Sequence, residues 1–181
     1  MQYKIMYQPS YSLLELQLDP SGSVVAESDA MVSMTPNVNM ETGAKGGLFG
    51  ALKRAVGGES MFQNTFTAQD GPGRVAFAPT MVGDIAAREM RGESLFVQSG
   101  SFLASSPSIE LDTKWGEART FFSREGLFVL KATGVGMLFM SSYGAIHAVT
   151  LAPGEQLVMD TGHIWLPSTR RWGTTSGRSE V

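Results

Sequence analysis

The stretch Leu14-Glu15-Leu16-Gln17-Leu18-Asp19-Pro20-Ser21-Gly22-Ser23-Val24-Val25-Ala26-Glu27-Ser28-Asp29 decides the fold class. Its first five residues alternate apolar and polar, which is the period of a half-buried strand. Asp19-Pro20-Ser21-Gly22 stops that strand with turn chemistry: proline fixes one backbone dihedral, and glycine is expected to take the positive one. A second apolar run follows at once, so the stretch reads strand, turn, strand.

Working outward, the pattern of turn glycine and apolar run returns. Gly92-Glu93-Ser94-Leu95-Phe96-Val97-Gln98-Ser99-Gly100 and Gly154-Glu155-Gln156-Leu157-Val158-Met159-Asp160-Thr161-Gly162 repeat it. A second pattern, Gly58-Glu59-Ser60-Met61-Phe62 running to Gly71-Pro72-Gly73-Arg74-Val75, returns as Arg124-Glu125-Gly126-Leu127-Phe128 running to Gly134-Val135-Gly136-Met137-Leu138. Alternating copies of two strings predict a tandem pseudo-repeat. Both glycine triplets are expected to be hairpin tips, and Ser94 and Gln156 to start equivalent strands. Short apolar runs bounded by Gly, Pro, Ser and Asp fill the rest, so the fold is expected to be all-β, a sandwich, barrel or β-helix.

At 181 residues with 43% apolar content and 17% charge, the chain can bury a sizeable core as one domain. A net charge of −3 gives nucleic acid or anionic lipid no general attraction. The absence of cysteine removes disulfides, thiolate metal sites and cysteine nucleophiles, and fits a reducing cytoplasm. Met1-Gln2-Tyr3-Lys4 lacks the basic leader of a secretion signal, and no run reaches the ~18 apolar residues of a membrane span. A cytoplasmic location is the expectation.

One segment departs from the β pattern. Leu48, Phe49, Leu52 and Val56 fall at helical spacing between two Gly-Gly pairs, with Lys53 and Arg54 on another face. This predicts one short amphipathic helix, a connector that caps the β core. Leu48, Phe49, Leu52, Lys53 and Arg54 are also the candidate contact for a protein partner or, at most, a peripheral membrane surface.

Several strings carry a family resemblance: Val24-Val25-Ala26-Glu27-Ser28-Asp29-Ala30-Met31-Val32, Lys53-Arg54 before Gly57-Gly58-Glu59-Ser60-Met61-Phe62, Gly71-Pro72-Gly73-Arg74-Val75, and Arg124-Glu125-Gly126-Leu127-Phe128 through Ser141-Ser142-Tyr143-Gly144. Over about residues 1–165 the chain resembles the mitochondrial-biogenesis (AIM-type) family, formerly a domain of unknown function. The resemblance implies a β-sandwich or double-stranded β-helix similar to the tryptophan RNA-binding attenuation protein (TRAP), with pseudo-threefold internal repeats and assembly into rings or trimers. It implies no catalytic residues and no cofactor. Residues 1–165 then form one β domain lacking the last half-repeat of the family, and 166–181 form a polar tail. The missing half-repeat leaves a strand edge open, so a homo-oligomer is expected, a trimer in the simplest case, with Trp165 near the subunit interface.

Three other chemistries compete. Asp160-Thr161-Gly162 mimics the aspartic-protease triplet, which needs two carboxylates sharing a proton, but it aligns with the plain turn Gln98-Ser99-Gly100. His147, His163 and Asp160 are the candidates for a cupin-like metal-dependent enzyme, although two isolated histidines more often serve as surface or hydrogen-bonded residues. Lys45, Lys53, Arg54, Arg74, Arg170, Arg171 and Arg178 with Trp165 and Trp172 are the candidates for RNA binding, against an acidic net charge. Met31, Met34, Met137 and Met140 are expected to fill the core. The expectation is a non-enzymatic assembly or binding module without metal, with an unknown protein partner and no nucleic acid.

Overall fold

Alternation in the sequence becomes alternating burial in the computed structural model, which describes residues 1–42, 63–112 and 129–159 and the strand backbone at 165–167, 173–175 and 178–180. After β1 (Gln2–Met6), β2 (Leu13–Leu18) buries Leu14, Leu16 and Leu18 and turns Glu15 and Gln17 outward. The turn Asp19–Gly22 closes with Gly22 N–H donating to the Asp19 carbonyl at 2.8 Å. The positive dihedral falls on Ser21 (φ 61°), not on Gly22. Gly22 is needed for space instead, since a Cβ there would come within 2.9 Å of the Asp19 oxygen.

Next come β3 (Ser23–Glu27), β4 (Met31–Met34), β5 (Val38–Thr42), β6 (Gln63–Ala68) and β7 (Gly73–Phe77). They are followed by β8 (Ile85–Arg91), β9 (Leu95–Gln98), a 3-10 turn at Ser99–Ser101, β10 (Phe102–Ser105), β11 (Ile109–Asp112) and the long β12 (Val129–Ser141). Short strands β13 (Val158–Met159), β14 (Trp165–Pro167), β15 (Gly173–Thr175) and β16 (Arg178–Glu180) complete the fold. The protein is therefore all-β. One sheet runs β1-β2-β7-β4, a larger one runs β14-β9-β12-β10-β3-β6-β5 with β8 and β11 also on β12, and a small one runs β13-β16-β15. The region after residue 165, expected as a polar tail, thus contains paired strands. The pairings between strands are antiparallel.

The glycine triplets are not hairpin tips. β6 pairs with β3 and β5, whereas β7 pairs with β2 and β4, so Gly71-Pro72-Gly73 carries the chain from one sheet to another. Gly134-Val135-Gly136 lies inside the continuous β12. Residues 129–134 of that strand pair with β9 and β11, and residues 135–141 pair with β8 and β10. The same hydrogen bonds brace both crossings. Thr35 N–H donates to the Arg74 carbonyl (2.9 Å) and its hydroxyl accepts from Arg74 N–H (3.1 Å), while Asn37 Nδ2 donates to the Pro72 carbonyl (3.0 Å). Ser106 N–H donates to the Met137 carbonyl (2.8 Å) and its hydroxyl accepts from Met137 N–H (2.9 Å), while the Ser108 hydroxyl donates to the Val135 carbonyl.

Two apolar clusters result. The first gathers Leu14, Leu16, Leu18, Val24, Phe66 and Phe77 with Leu103 and Phe139 from the second half. Phe66 and Phe77 meet edge to face with ring centroids 5.2 Å apart, an arrangement that adds about 1 kcal/mol beyond burial. The second gathers Met90, Leu95, Val97, Phe102, Leu130, Leu138 and Met140. Met140 is core and Met31 and Met137 pack against the first cluster as expected, but Met34 is exposed. No helix among the described residues is long and apolar enough to cross a membrane.

Candidate functional site

Two surface regions stand out once the strands are placed. The first is β4. Its inner edge pairs with β7, Met31 opposite Phe77 and Met34 opposite Val75. It ends its sheet, and its outer edge pairs with no strand among the described residues. Val32 is 56% exposed and Met34 39%. β10 sits on β12 as β4 sits on β7, but its other edge pairs with β3, and its four residues are buried. Beside β4 the outer face forms a shallow groove of about 210 Å³ lined by Glu15, Ser33, Met34, Thr35, Arg74 and neighbouring β7 residues.

The second region is a set of loops at 7–11, 78–84 and 142–149. Tyr7, Tyr11 and Tyr143, three of the four tyrosines, are exposed there together with Met81 and Val82. Backbone bonds staple the loops together: Ser12 N–H to the Gly83 carbonyl, Gly144 N–H to Val82, and Asp84 N–H to Gly144. Gly83 must be glycine, because a Cβ would collide with the Ser142 carbonyl. At the centre, the buried Asp84 carboxylate accepts from the Ser12 hydroxyl (2.7 Å), Gln8 Nε2 (3.0 Å) and Ile85 N–H (2.8 Å). Burial pushes this carboxyl up, but these donors and the backbone at Ile146 outweigh it and hold it below the usual carboxylate range. Asp84 is thus an ionised anchor for loops that present aromatic side chains.

A third set of groups is electrostatic. Burial, and then the charge of Asp29, raise the Glu27 carboxyl to about 7. On the neighbouring strand, buried Asn64 donates through Nδ2 to the Ser28 carbonyl at 3.4 Å, while its Oδ1 has no partner.

Of the residues singled out in the sequence, Leu48, Phe49, Leu52, Lys53 and Arg54 lie outside the described residues, as do Asp160 and His163. Trp165 opens β14, opposite Val97 of β9, at the end of the large sheet. Arg74 is exposed on the outer face of β7, and His147 is exposed in the loop after Gly144. Among the described residues no group of three or more His, Asp or Glu converges as a metal site would require. Gln156 precedes β13, which pairs with β16, so its strand does not share the partners of the strand that Ser94 precedes. Sequence reasoning missed β4 and the tyrosine loops. The signal for the loops was the placement of the tyrosines among Gly, Pro and Ser.

Comparison with known proteins gives one family. A sequence model of the family described as mitochondrial biogenesis AIM24 matches residues 3–169. An uncharacterized protein of Streptococcus pyogenes serotype M6 is 33% identical over 173 residues, covering 91% of this chain and 69% of that protein. An X-ray crystal structure of a Streptococcus pyogenes protein superposes with a TM-score of 0.68 at 32% identity, covering 88% of this chain and 72% of that one.

Proposed function

The chain belongs to the mitochondrial-biogenesis AIM24 family, and from that membership we propose that it is a non-enzymatic binding and assembly module built from copies of one β unit. The observation that carries this reading is the contrast at one strand position: β10 is closed on both edges, while among the described residues β4 has no partner on the edge beside exposed Val32 and Met34. Such an edge is a ready template for another chain. Self-association satisfies every such edge at once when it closes symmetrically, and a trimer is the simplest ring. The tyrosine loops offer a second surface to a protein partner, since tyrosine supplies large contact area at little conformational cost. A cytoplasmic location agrees with the lack of cysteine.

Sedimentation velocity at micromolar concentration is expected to give three times the chain mass. A monomer throughout that range overturns the reading. Stoichiometric metal retained after dialysis against a chelator would replace it with a metal-dependent enzyme. A steep loss of RNA affinity with added salt would replace it with nucleic-acid binding.

A further inference from the structure

We infer that the outer edge of β4 receives β13 from a second copy of this chain. Three stretches open with a turn glycine and continue apolar, and they supply β3, β9 and β13. β3 pairs outward with β10, the strand that follows β9. β9 pairs outward with β14, the strand that follows β13. Each strand of the first kind is thus covered by the strand that follows the next one. Among the described residues two members remain outside this scheme: β4, which follows β3 and has no outer partner, and β13, which has no partner of the β4 kind.

Both leftover strands end their sheets. β4 closes the order β1-β2-β7-β4, and β13 opens the order β13-β16-β15. Joining them gives one continuous run, β1-β2-β7-β4-β13-β16-β15, and breaks no existing pair. Among the described residues neither edge is paired within the chain, and a second copy is the occupant we assign to each. One copy uses β4 and the next uses β13, a head-to-tail contact, which gives a ring where the rotation between copies closes. The register follows from the internal precedent. Ala104 lies opposite Ala26 and Ser105 opposite Val25, and the matching strings place Ser33 opposite Met159 and Met34 opposite Val158. Val32 then lies in a strand paired on both edges, as Leu103 does in β10.

This contact rests on the self-assembly reading, and the experiment separates the two. The chain has no cysteine, so introduced thiols report on single pairs. Directly opposed strand residues lie within the ~4.4–6.8 Å Cα separation that a disulfide bridges. Ser33→Cys protein mixed with Met159→Cys protein under mild oxidation is expected to give a disulfide-linked dimer, with no comparable dimer when Val149→Cys replaces Met159→Cys. Val32→Lys, at an already exposed position, is expected to reduce the sedimenting species to a monomer, while Val149→Lys leaves the oligomer intact. A monomeric wild-type chain overturns self-assembly and this contact together. An oligomer that neither cross-links nor responds to Val32→Lys overturns the contact alone. A disulfide forming only within single chains of the Ser33→Cys/Met159→Cys double variant overturns the second copy and makes β13 the chain's own cover for β4.

Discussion

β4 and β10 are paired alike on one edge and meet opposite environments on the other. Each follows a strand of the first kind, each pairs inward with the strand beyond a glycine crossing, and each is followed by a Thr/Ser-Pro turn that braces that crossing. Their residues, Met31-Val32-Ser33-Met34 and Phe102-Leu103-Ala104-Ser105, are comparably apolar. Yet Leu103 is 0% exposed and Val32 56%. β3 pairs with the outer edge of β10 and no described strand pairs with that of β4, and Leu103 joins the first apolar cluster whereas Val32 does not. Strand chemistry prepares a face for burial, and topology decides whether it is buried.

The sharpest test of that contrast pairs two truncations. Leu103→Ala removes a side chain packed among Leu14, Phe66 and Phe139 and should cost about 3 kcal/mol of unfolding free energy. Val32→Ala, measured at a dilution that disfavours association, should stay within about 0.5 kcal/mol. Urea denaturation reads both values. Equal costs would mean that β4 is already covered in the monomer.

The two crossings offer the next contrast. Between Ala68 and Gly73 the chain spends Gln69, Asp70, Gly71 and Pro72, whereas between Gly134 and Gly136 it spends only Val135. Gly134 has φ 122°, and an added Cβ would run into the Ser108 carbonyl oxygen; Gly71 has φ 134° but open space around it. Gly71→Ala should cost only the dihedral penalty of about 1 kcal/mol. Gly134→Ala should lose about 2–3 kcal/mol, because the collision adds to that penalty and the rigid backbone of the following turn cannot yield. Thermal unfolding of the two variants side by side checks the order.

Those crossings also mark where the sequence was legible and where it was not. Alternation at Leu14–Leu18 and the turn after it announced strands, because both signals are local. The glycine triplets announced chain reversals, but their geometry depends on which strands lie beside them, and no local pattern carries that information. The strings Thr35-Pro36-Asn37-Val38 and Ser106-Pro107-Ser108-Ile109 brace both crossings and went unread, since Thr/Ser-Pro resembles any turn until its hydroxyl is seen accepting from the crossing strand. The outer edge of β4, unpaired among the described residues, was equally hidden, because edge pairing is a property of neighbours distant in sequence. The sequence puts the expected edge near Trp165, which opens β14 at the end of the large sheet. Asp84 gave no sequence signal, as its partners Gln8 and Ser12 lie more than seventy residues away.

A smaller effect distinguishes the ends of β3 and β9. Glu27 and Gln98 close these two strands, and the carboxyl of Glu27 is raised from 4.5 to about 7 by burial and by Asp29. A group whose folded pKa is raised binds its proton more tightly in the folded state, so stability falls as pH rises from about 4.5 to about 7 and is flat above. With partial exposure screening the interaction, the loss is about 1–2 kcal/mol. Glu27→Gln, which copies Gln98, should remove that slope and leave the protein more stable than wild type at pH 8. Denaturation midpoints at pH 5 and pH 8 test it, and a slope that survives the substitution would move its cause elsewhere.

The smallest expected effect lies one strand over. Asn64 sits opposite Ala26 as Leu130 sits opposite Val97, so one half buries an amide where the other buries a hydrocarbon. The amide is poorly served: its Nδ2 reaches the Ser28 carbonyl at 3.4 Å and Met40 Sδ at 3.7 Å, and its Oδ1 is buried without a partner. An unpaired buried oxygen costs about 1–3 kcal/mol, whereas losing one long hydrogen bond costs less. Asn64→Leu should therefore stabilise the chain by about 1 kcal/mol. Asn64→Asp should destabilise it, since a carboxylate there is buried close to the Glu27–Asp29 turn. Urea midpoints of the two variants decide the point. A neutral or destabilising Asn64→Leu would mean that the amide holds the β3–β4 turn in place, and with it the orientation of the open strand that follows.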